Sequence, residues 1–268
     1  MTKFETFTFG DNNIGVRVGC VTFAVATPSR QRAAGVSRSP LLSVANLIVH
    51  ESEHDTYAAH FEKHGVCCGR LHTHNVKGIG NIRNLMLERY FGAGIDFVFT
   101  ADDDVKCMQY MVTRGSKAYS DLPTILGIIA SAGYTASQIP VGMFGFHQSG
   151  VPFERRAQIP FYLRGWTSSH AAGFLDRTLR YDTTLKSHDD IDICLQSISK
   201  YKLLWRDERW YFRCYGEGDK TQVGGMAAHR SSIVADEALR QMQAKWGDDV
   251  ILPGPLTASG MAVRVHLS

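Results

Sequence analysis

Three short, unbroken apolar runs constrain this chain most strongly: VTFAVAT (Val21 to Thr27), NLIVH (Asn46 to His50) and IDFVFTA (Ile95 to Ala101). A strand with one wet face alternates apolar and polar residues, so unbroken runs of this length read as strands buried on both faces. Pro28 ends the first run. Between the second and third lies NIRNLMLERYFGAG, where Ile82, Leu85, Met86 and Tyr90 recur at helical spacing and Gly92 or Gly94 can stop the helix. Strand, helix, strand with buried strands predicts an α/β fold, a mostly parallel sheet flanked by helices.

Further along, SDLPTILGIIASAGY reads as a helix capped by Ser120 or Asp121, with Pro123 in its first turn and Gly133 at its end. VGMFGF and PFYLRGW read as strands. HDDIDICLQSISKYK is helical, with Ile191, Cys194, Leu195, Ile198 and Tyr201 on one side. LLWRDERWYFRC suggests a hairpin turning at Asp207 and Glu208, and a last helix runs near Ile233 to Trp246. Residues 150–158 and 216–225 are polar or glycine-rich, which marks them as mobile loops near a site.

Bulk properties narrow the function. The chain has 268 residues, 44% of them hydrophobic, enough for one domain over 1–268. No run of 18 apolar residues suggests a membrane span, and MTKFETFTFGDNN lacks the apolar centre of a signal peptide. Cys20, Cys67, Cys68, Cys107, Cys194 and Cys214 have neither zinc nor disulfide-framework spacing and read as reduced thiols of a cytoplasmic protein. A net charge of +3 excludes a strongly basic nucleic-acid coat. Local clusters (Arg30 with Arg32 and Arg38; Arg155 with Arg156; Lys200 with Lys202, Arg206 and Arg209) suit phosphate contact or plain solvated surface. His50, His54, His60, His64, His72 and His74 give no clear zinc spacing and read mostly as surface.

The third apolar run stops at Asp102, Asp103 and Asp104, with no basic residue following before Lys106. Ligands of open parallel sheets bind at the carboxyl ends of strands. In extended backbone Asp102 and Asp104 share a side and Asp103 points away. Two converging carboxylates suit Mg²⁺ or Mn²⁺, which keep water and take further ligands from phosphate. The competing reading is a solvated acidic turn. Upstream, GIGNIRN adds glycines that allow close backbone approach and Arg83, suited to phosphate.

Together, TPSR, GIGNIRN, FVFTADDDV and HAAGFLDRTLRYDTTLKSHDDIDICLQSI resemble a GT-A-fold glycosyltransferase from about Val21 to His229. The narrower resemblance is to the TET-associated glycosyltransferases encoded by bacteriophages, implied to move a sugar to 5-hydroxymethylcytosine in DNA. In the family pattern an acidic motif opens a helix; here it is Asp189-Asp190-Ile191-Asp192, with Asp where Glu is commoner. The resemblance implies a nucleotide-sugar half over about 20–110 and an acceptor half with a smaller mixed sheet over about 111–268. It places Pro28, Ser29 and Arg30 against the nucleoside, Arg83 at the base or pyrophosphate, and Asp102 and Asp103 on the nucleotide-sugar side. Asp104, with Asp102 and His229, is expected to hold Mn²⁺ or Mg²⁺. Asp190, or else Asp189, is expected to act as general base if the anomeric centre inverts; in a retaining enzyme the pair positions substrate. Helix capping accounts for the same two residues without catalysis.

Trp166, followed by Thr167, Ser168, Ser169 and His170, is a candidate sugar or acceptor pocket, whereas Trp205, Trp210 and Tyr211 read as packing. A DNA base as acceptor must be single-stranded or flipped, with Arg155, Arg156, Arg206 and Arg209 as candidate phosphate contacts. The donor is expected to be a UDP-sugar. Alternatives keep the fold with a protein, glycan or small-molecule acceptor, or reduce the chain to an idle nucleotide-sugar or nucleic-acid binding module, which has no need of both acidic motifs.

Overall fold

The computed structural model describes residues 2–92, 94–112, 117–148, 159–168, 170–185, 187–215, 232–257 and 260–266. Ahead of the first apolar run, β1 (Glu5–Phe9) and β2 (Asn13–Val18) form an antiparallel hairpin that leads into β3 (Val21–Pro28). After the short α1 (Ala33–Val36) come β4 (Ala45–His50), α2 (His54–His64), β5 (Arg70–His74), α3 (Ile79–Tyr90) and β6 (Phe97–Ala101). Strands β5, β4, β3 and β6 lie side by side, all parallel. The three apolar runs are thus the central strands, and the helices between them return the chain to the same sheet end, as parallel pairing requires.

The second half adds β7 (Val105–Tyr110), β8 (Ala118–Tyr119), α4 (Leu122–Ser137), β9 (Met143–His147), β10 (Phe161–Tyr162) and β11 (Ala171–Phe174). It ends with α5 (Asp189–Tyr201), β12 (Trp205–Cys214), α6 (Ser232–Trp246), β13 (Ile251–Thr257) and β14 (Gly260–Val265). Beyond β6 the same sheet continues through β11, β9, β12, β7 and β8. There only β9 and β12 pair in parallel. Strands β13 and β14 form a separate ribbon.

The connection from β6 to β7 shows how this sheet is shaped. Four strand spacings separate the two in the pairing order, about 19 Å if the sheet were flat. The link from Ala101 to Val105 reaches about 14 Å at most. The sheet therefore curls, and β12 supplies the bend. It is one bulged strand, not the expected hairpin: Trp205–Asp207 pair with β9, Trp210–Cys214 pair with β7, and the register shifts between them. The curl brings Phe212 of β12 to 5.5 Å from Phe99 of β6, ring centre to ring centre.

Each face of the sheet carries its own core. Helix α4 covers one, with Ile125 and Ile129 against Phe97, Phe99, Phe144 and Phe146. Gly133 does not end this helix, which runs to Ser137. A Cβ at Gly133 would lie 2.1 Å from the Phe97 ring, so the glycine is what lets α4 sit on β6. The opposite face carries α3 and α5, with Met86, Leu87 and Ile193 against Val98, Ala172 and Phe174. Helix α6 and the β13–β14 ribbon pack on the far side of α5 through Leu195, Leu239, Met242 and Ile251. Asp192 of α5, 0% exposed, accepts from Trp246 Nε1 and sits 2.8 Å from Lys245 Nζ. The start of α5 is thereby held from both sides.

Several elements carry no clear apolar signal. Helix α2 buries only Tyr57 and Phe61, and its polar HDTYAAHFEKH hides the pattern. His74 is buried and His72 half-buried, contrary to the reading of those histidines as surface. Burial holds the His72 imidazole down to about 4, helped by Arg89 and Arg70. PFYLRGW contributes only the exposed two-residue β10. The segments 150–158 and 216–225, read as mobile loops, lie outside the described residues.

Candidate active site

Strands β3, β4, β5 and β6 all end on one edge, at Pro28, His50, His74 and Ala101. The three aspartates make the turn from β6 to β7 rather than an extended strand, so strand alternation does not apply to them. Asp103 stays close to Asp104, because the same Arg32 Nη1 lies 3.0 Å from Asp103 and 3.7 Å from Asp104; Asp103 is the buried one of the pair. It is 6% exposed, accepts from Ser29 Oγ at 2.5 Å and from Arg32 Nη1 at 3.0 Å. Ser29 also bonds the Tyr57 hydroxyl at 2.7 Å. Burial pushes the Asp103 carboxyl up to about 6, against the pull of Ser29 and Arg32. Ser29 and Asp103 are thus bonded to each other inside the protein and are not open to a nucleotide.

No basic residue precedes Lys106 in the local sequence, yet two arginines from elsewhere balance the turn. Arg32 lies 3.7 Å from Asp104, and Arg83 lies 3.5 Å from Asp102. A metal is therefore not needed to explain how the acidic turn coexists. The Asp102 carboxylate remains 37% exposed. Burial by its surroundings raises its pKa, Arg83 opposes the rise, and the like charge of Asp104 adds to it. His170 reaches the same place from β11, because Ala171 pairs with Ala101 and the Asp102 N–H donates to the His170 carbonyl at 3.0 Å. Burial keeps the His170 imidazole below its ordinary range despite Asp102 and Asp104 beside it.

The motif GIGNIRN earns its residues individually. Gly78, at φ 88, starts α3 in backbone space that side chains rarely enter. Asn84 holds the Tyr181 backbone from both ends, donating at 2.9 Å and accepting at 2.7 Å. Arg83 is 8% exposed, lies over the Tyr181 ring at 5.4 Å, and donates to Asp189 at 2.8 Å. Burial opposes its charge, but Asp189 and Asp102 more than offset this. One guanidinium thus joins the acidic turn after β6 to the acidic start of α5, 106 residues away from Arg83 in sequence.

At that start, Asp189 and Asp190 occupy the first turn, and neither is the cap. His188 is the cap residue, at φ 64 and with no side-chain cap bond. Asp190 accepts from the Ile191 N–H at 2.9 Å, while Arg83 bonds Asp189 instead. Burial pushes the Asp190 carboxyl up to about 6; Asp189 adds to the rise and Arg83 opposes it. A carboxylate raised to about 6 without a direct ion pair is suited to general-base work.

The remaining expected residues divide clearly. Pro28 is half-buried and Arg30 exposed at the strand edge; Arg32, three places from Ser29, is the arginine that reaches the acidic turn. Trp166 packs between the cores under α3 and α6. Arg206 pairs with Glu208 and Arg209 with Asp207, so neither is a bare phosphate contact. Arg155, Arg156 and His229 lie outside the described residues. Among the described residues no three His, Cys, Asp or Glu side chains converge to hold a metal. Asp102 and Asp104 fit a hard divalent cation only as a two-carboxylate site whose other ligands come from water or phosphate.

A model of the TET-associated glycosyltransferase family matches residues 23–223. No curated protein matches. Among solved structures, S. aureus TarS residues 1–349 align over 85% of this chain and 74% of that one, at 14% identity and a TM-score of 0.46. A second S. aureus TarS structure aligns over 83% and 43%, at 11% identity and 0.45. Likeness at that level decides nothing about activity. The family match spans three quarters of the chain and takes in Arg83, the acidic turn and the start of α5, and the chain belongs to the TET-associated glycosyltransferases.

Proposed function

We propose that this glycosyltransferase moves a sugar from a UDP-sugar to the hydroxymethyl group of 5-hydroxymethylcytosine in phage DNA, in the host cytoplasm. The observation that carries the reading is the Arg83 bridge, which joins the strand-edge carboxylate Asp102 to Asp189, the neighbour of Asp190 at the start of α5. Family membership supports the sugar-transfer chemistry. No helix among the described residues is long and apolar enough to cross a membrane.

In this reading Pro28 and Arg30 border the nucleoside at the end of β3, and Arg83 faces the diphosphate while holding Asp102 and Asp189 in place. Asp102 and Asp104 would hold Mn²⁺ or Mg²⁺, which when bound neutralises charge on the departing diphosphate. Asp190 takes the proton of the attacking hydroxyl, a role worth typically ~10²- to 10⁴-fold. A pKa raised to about 6 makes it a stronger base than an ordinary carboxylate and still leaves it deprotonated at neutral pH. Trp166 and His170 border the acceptor side. A cytosine in duplex DNA must leave the stack to reach Asp190.

The test is release of UDP from UDP-sugar with Mn²⁺, with and without hydroxymethylated DNA. Release that requires the modified DNA is expected. Release driven equally by unmodified DNA, or by a glycan or protein, moves the acceptor assignment elsewhere. No binding of UDP-sugar with or without metal overturns the reading.

A further inference from the structure

The buried pair His147 and Glu208 is used by none of the chemistry above. His147 ends β9 and is 7% exposed; Glu208 sits in the bulge of β12 and is 6% exposed. His147 Nδ1 and Glu208 Oε2 are 2.5 Å apart. The other Glu208 oxygen accepts from Arg206 Nε, and Arg206 Nη1 donates to the Trp166 carbonyl. One hydrogen bond holds the imidazole, and two more behind it hold Glu208 and Arg206. Its second nitrogen, Nε2, is buried and has no hydrogen-bond partner among the described residues. A buried, oriented nitrogen left without a partner costs stability of the order of a lost hydrogen bond, about 1–3 kcal/mol. Such an atom in a native protein calls for an explanation, and at the edge of a substrate site a substrate group is one.

Its place in the fold says which ligand. Ala172 of β11 pairs with both Thr100 of β6 and Gly145 of β9. Two residues further along the edge, Asp102, His170 and His147 lie at one level, across three neighbouring strands. In β9, Phe144 and Phe146 face the α4 core, so His147 faces the side of α3 and α5. Thr167 covers Gly145 on that side; a Cβ at Gly145 would lie 1.9 Å from Thr167 Oγ1. The Thr167 N–H donates to Cys194 Sγ at 3.3 Å, and Cys194 is one helical turn from Asp190, on the same face of α5. Asp102, Asp190 and His147 thus bound one region: the edge of β6–β11–β9 under the start of α5. Strand spacing puts His147 about 10 Å from Asp102, two strand widths along the same edge.

We propose that His147 Nε2 hydrogen-bonds a hydroxyl of the bound substrate, with Glu208 and Arg206 as positioning residues that fix the tautomer and tilt of the imidazole. The ligand chemistry is a hydroxyl, carried by the donor sugar or by the acceptor. With Nδ1 engaged by Glu208, Nε2 is the nitrogen left to face the hydroxyl, which can both donate and accept. This inference rests on the glycosyltransferase reading of the same site.

The test is steady-state kinetics and donor binding for H147A, H147Q and E208Q against the wild type, with unfolding midpoints measured alongside. H147A is expected to lose about 10- to 100-fold in kcat/KM, the loss of one oriented polar contact. H147Q, which can still present a polar atom near the Nε2 position, is expected to recover most of it, and E208Q to lose about tenfold. Affinity for UDP and the midpoint of H147Q stay at wild-type values. If the hydroxyl belongs to the donor, affinity for the UDP-sugar falls while affinity for UDP does not. If it belongs to the acceptor, donor affinity holds and acceptor KM rises. H147A within twofold of an active wild type overturns the inference alone. Equal losses in H147A and H147Q, tracked by UDP affinity or by the midpoint, reduce the pair to packing and also overturn it. A wild type that turns over no nucleotide sugar defeats the glycosyltransferase reading first.

Discussion

The turn after β6 and the first turn of α5 are both acidic, yet their charges are balanced differently. At the turn, Arg32 and Arg83 compensate Asp102, Asp103 and Asp104, and Asp103 is locked to Ser29. At α5, Arg83 bonds Asp189, and burial pushes the Asp190 carboxyl up to about 6. Both regions hold one carboxyl raised to about 6, but Asp103 is hydrogen-bonded to Ser29 and Arg32, whereas Asp190 has no ion pair of its own among the described residues. Arg83 belongs to both, so the two regions can be separated experimentally by what each variant loses.

Asp104→Ala should have the largest effect, abolishing metal-dependent binding of UDP-sugar and turnover together. Calorimetry with and without Mn²⁺ reads this, and full activity in the variant refutes the metal assignment. Asp190→Asn should leave donor binding intact and lower kcat by ~10²- to 10⁴-fold. Equal loss of binding and rate would erase the contrast between the two regions. Arg83→Gln removes the shared partner and leaves two partly buried carboxylates unpaired, so stability to urea should fall by about 3 kcal/mol. Ser29→Ala strips the bonds to Asp103 and Tyr57 and should cost about 1–3 kcal/mol, with little change in donor specificity.

The smallest effect is on pH dependence. The folded pKa of Asp190, about 6, lies above its unfolded value, and the base form is the deprotonated one. Activity should therefore rise as pH climbs through about 6 and level off above it. Asp189→Asn removes a like charge that raises Asp190, so the acid limb should move to lower pH. A limb that stays in place assigns the titration to another group, Asp103 being the alternative with a similar value.

The sequence made the central strands legible because VTFAVAT, NLIVH and IDFVFTA are buried on both faces and show no alternation. It also made both acidic motifs and Arg83 legible. What it hid were the links between them. Arg32 reads as one of a surface cluster until α1 is folded against the acidic turn, and His147 is one histidine among 11. Glu208 reads as a hairpin turn because RDER is polar, although a bulge in a buried strand points it inward. Gly133 reads as a stop because helices often end at glycine, and only the Phe97 ring beneath it shows why it lies mid-helix. Side-chain pairings across 70 to 106 residues leave no periodic trace.

Mass spectrometry of a 5-hydroxymethylcytosine oligonucleotide tests most directly whether the two acidic regions form one active site. The oligonucleotide is incubated with the protein, Mn²⁺ and a panel of nucleotide sugars. The wild type should add one sugar per hydroxymethylated base from at least one donor, D104A should add none above background, and D190N should add it ~10²- to 10⁴-fold more slowly. A sugar adduct formed as readily by either variant, or none formed by the wild type from any donor, would contradict it.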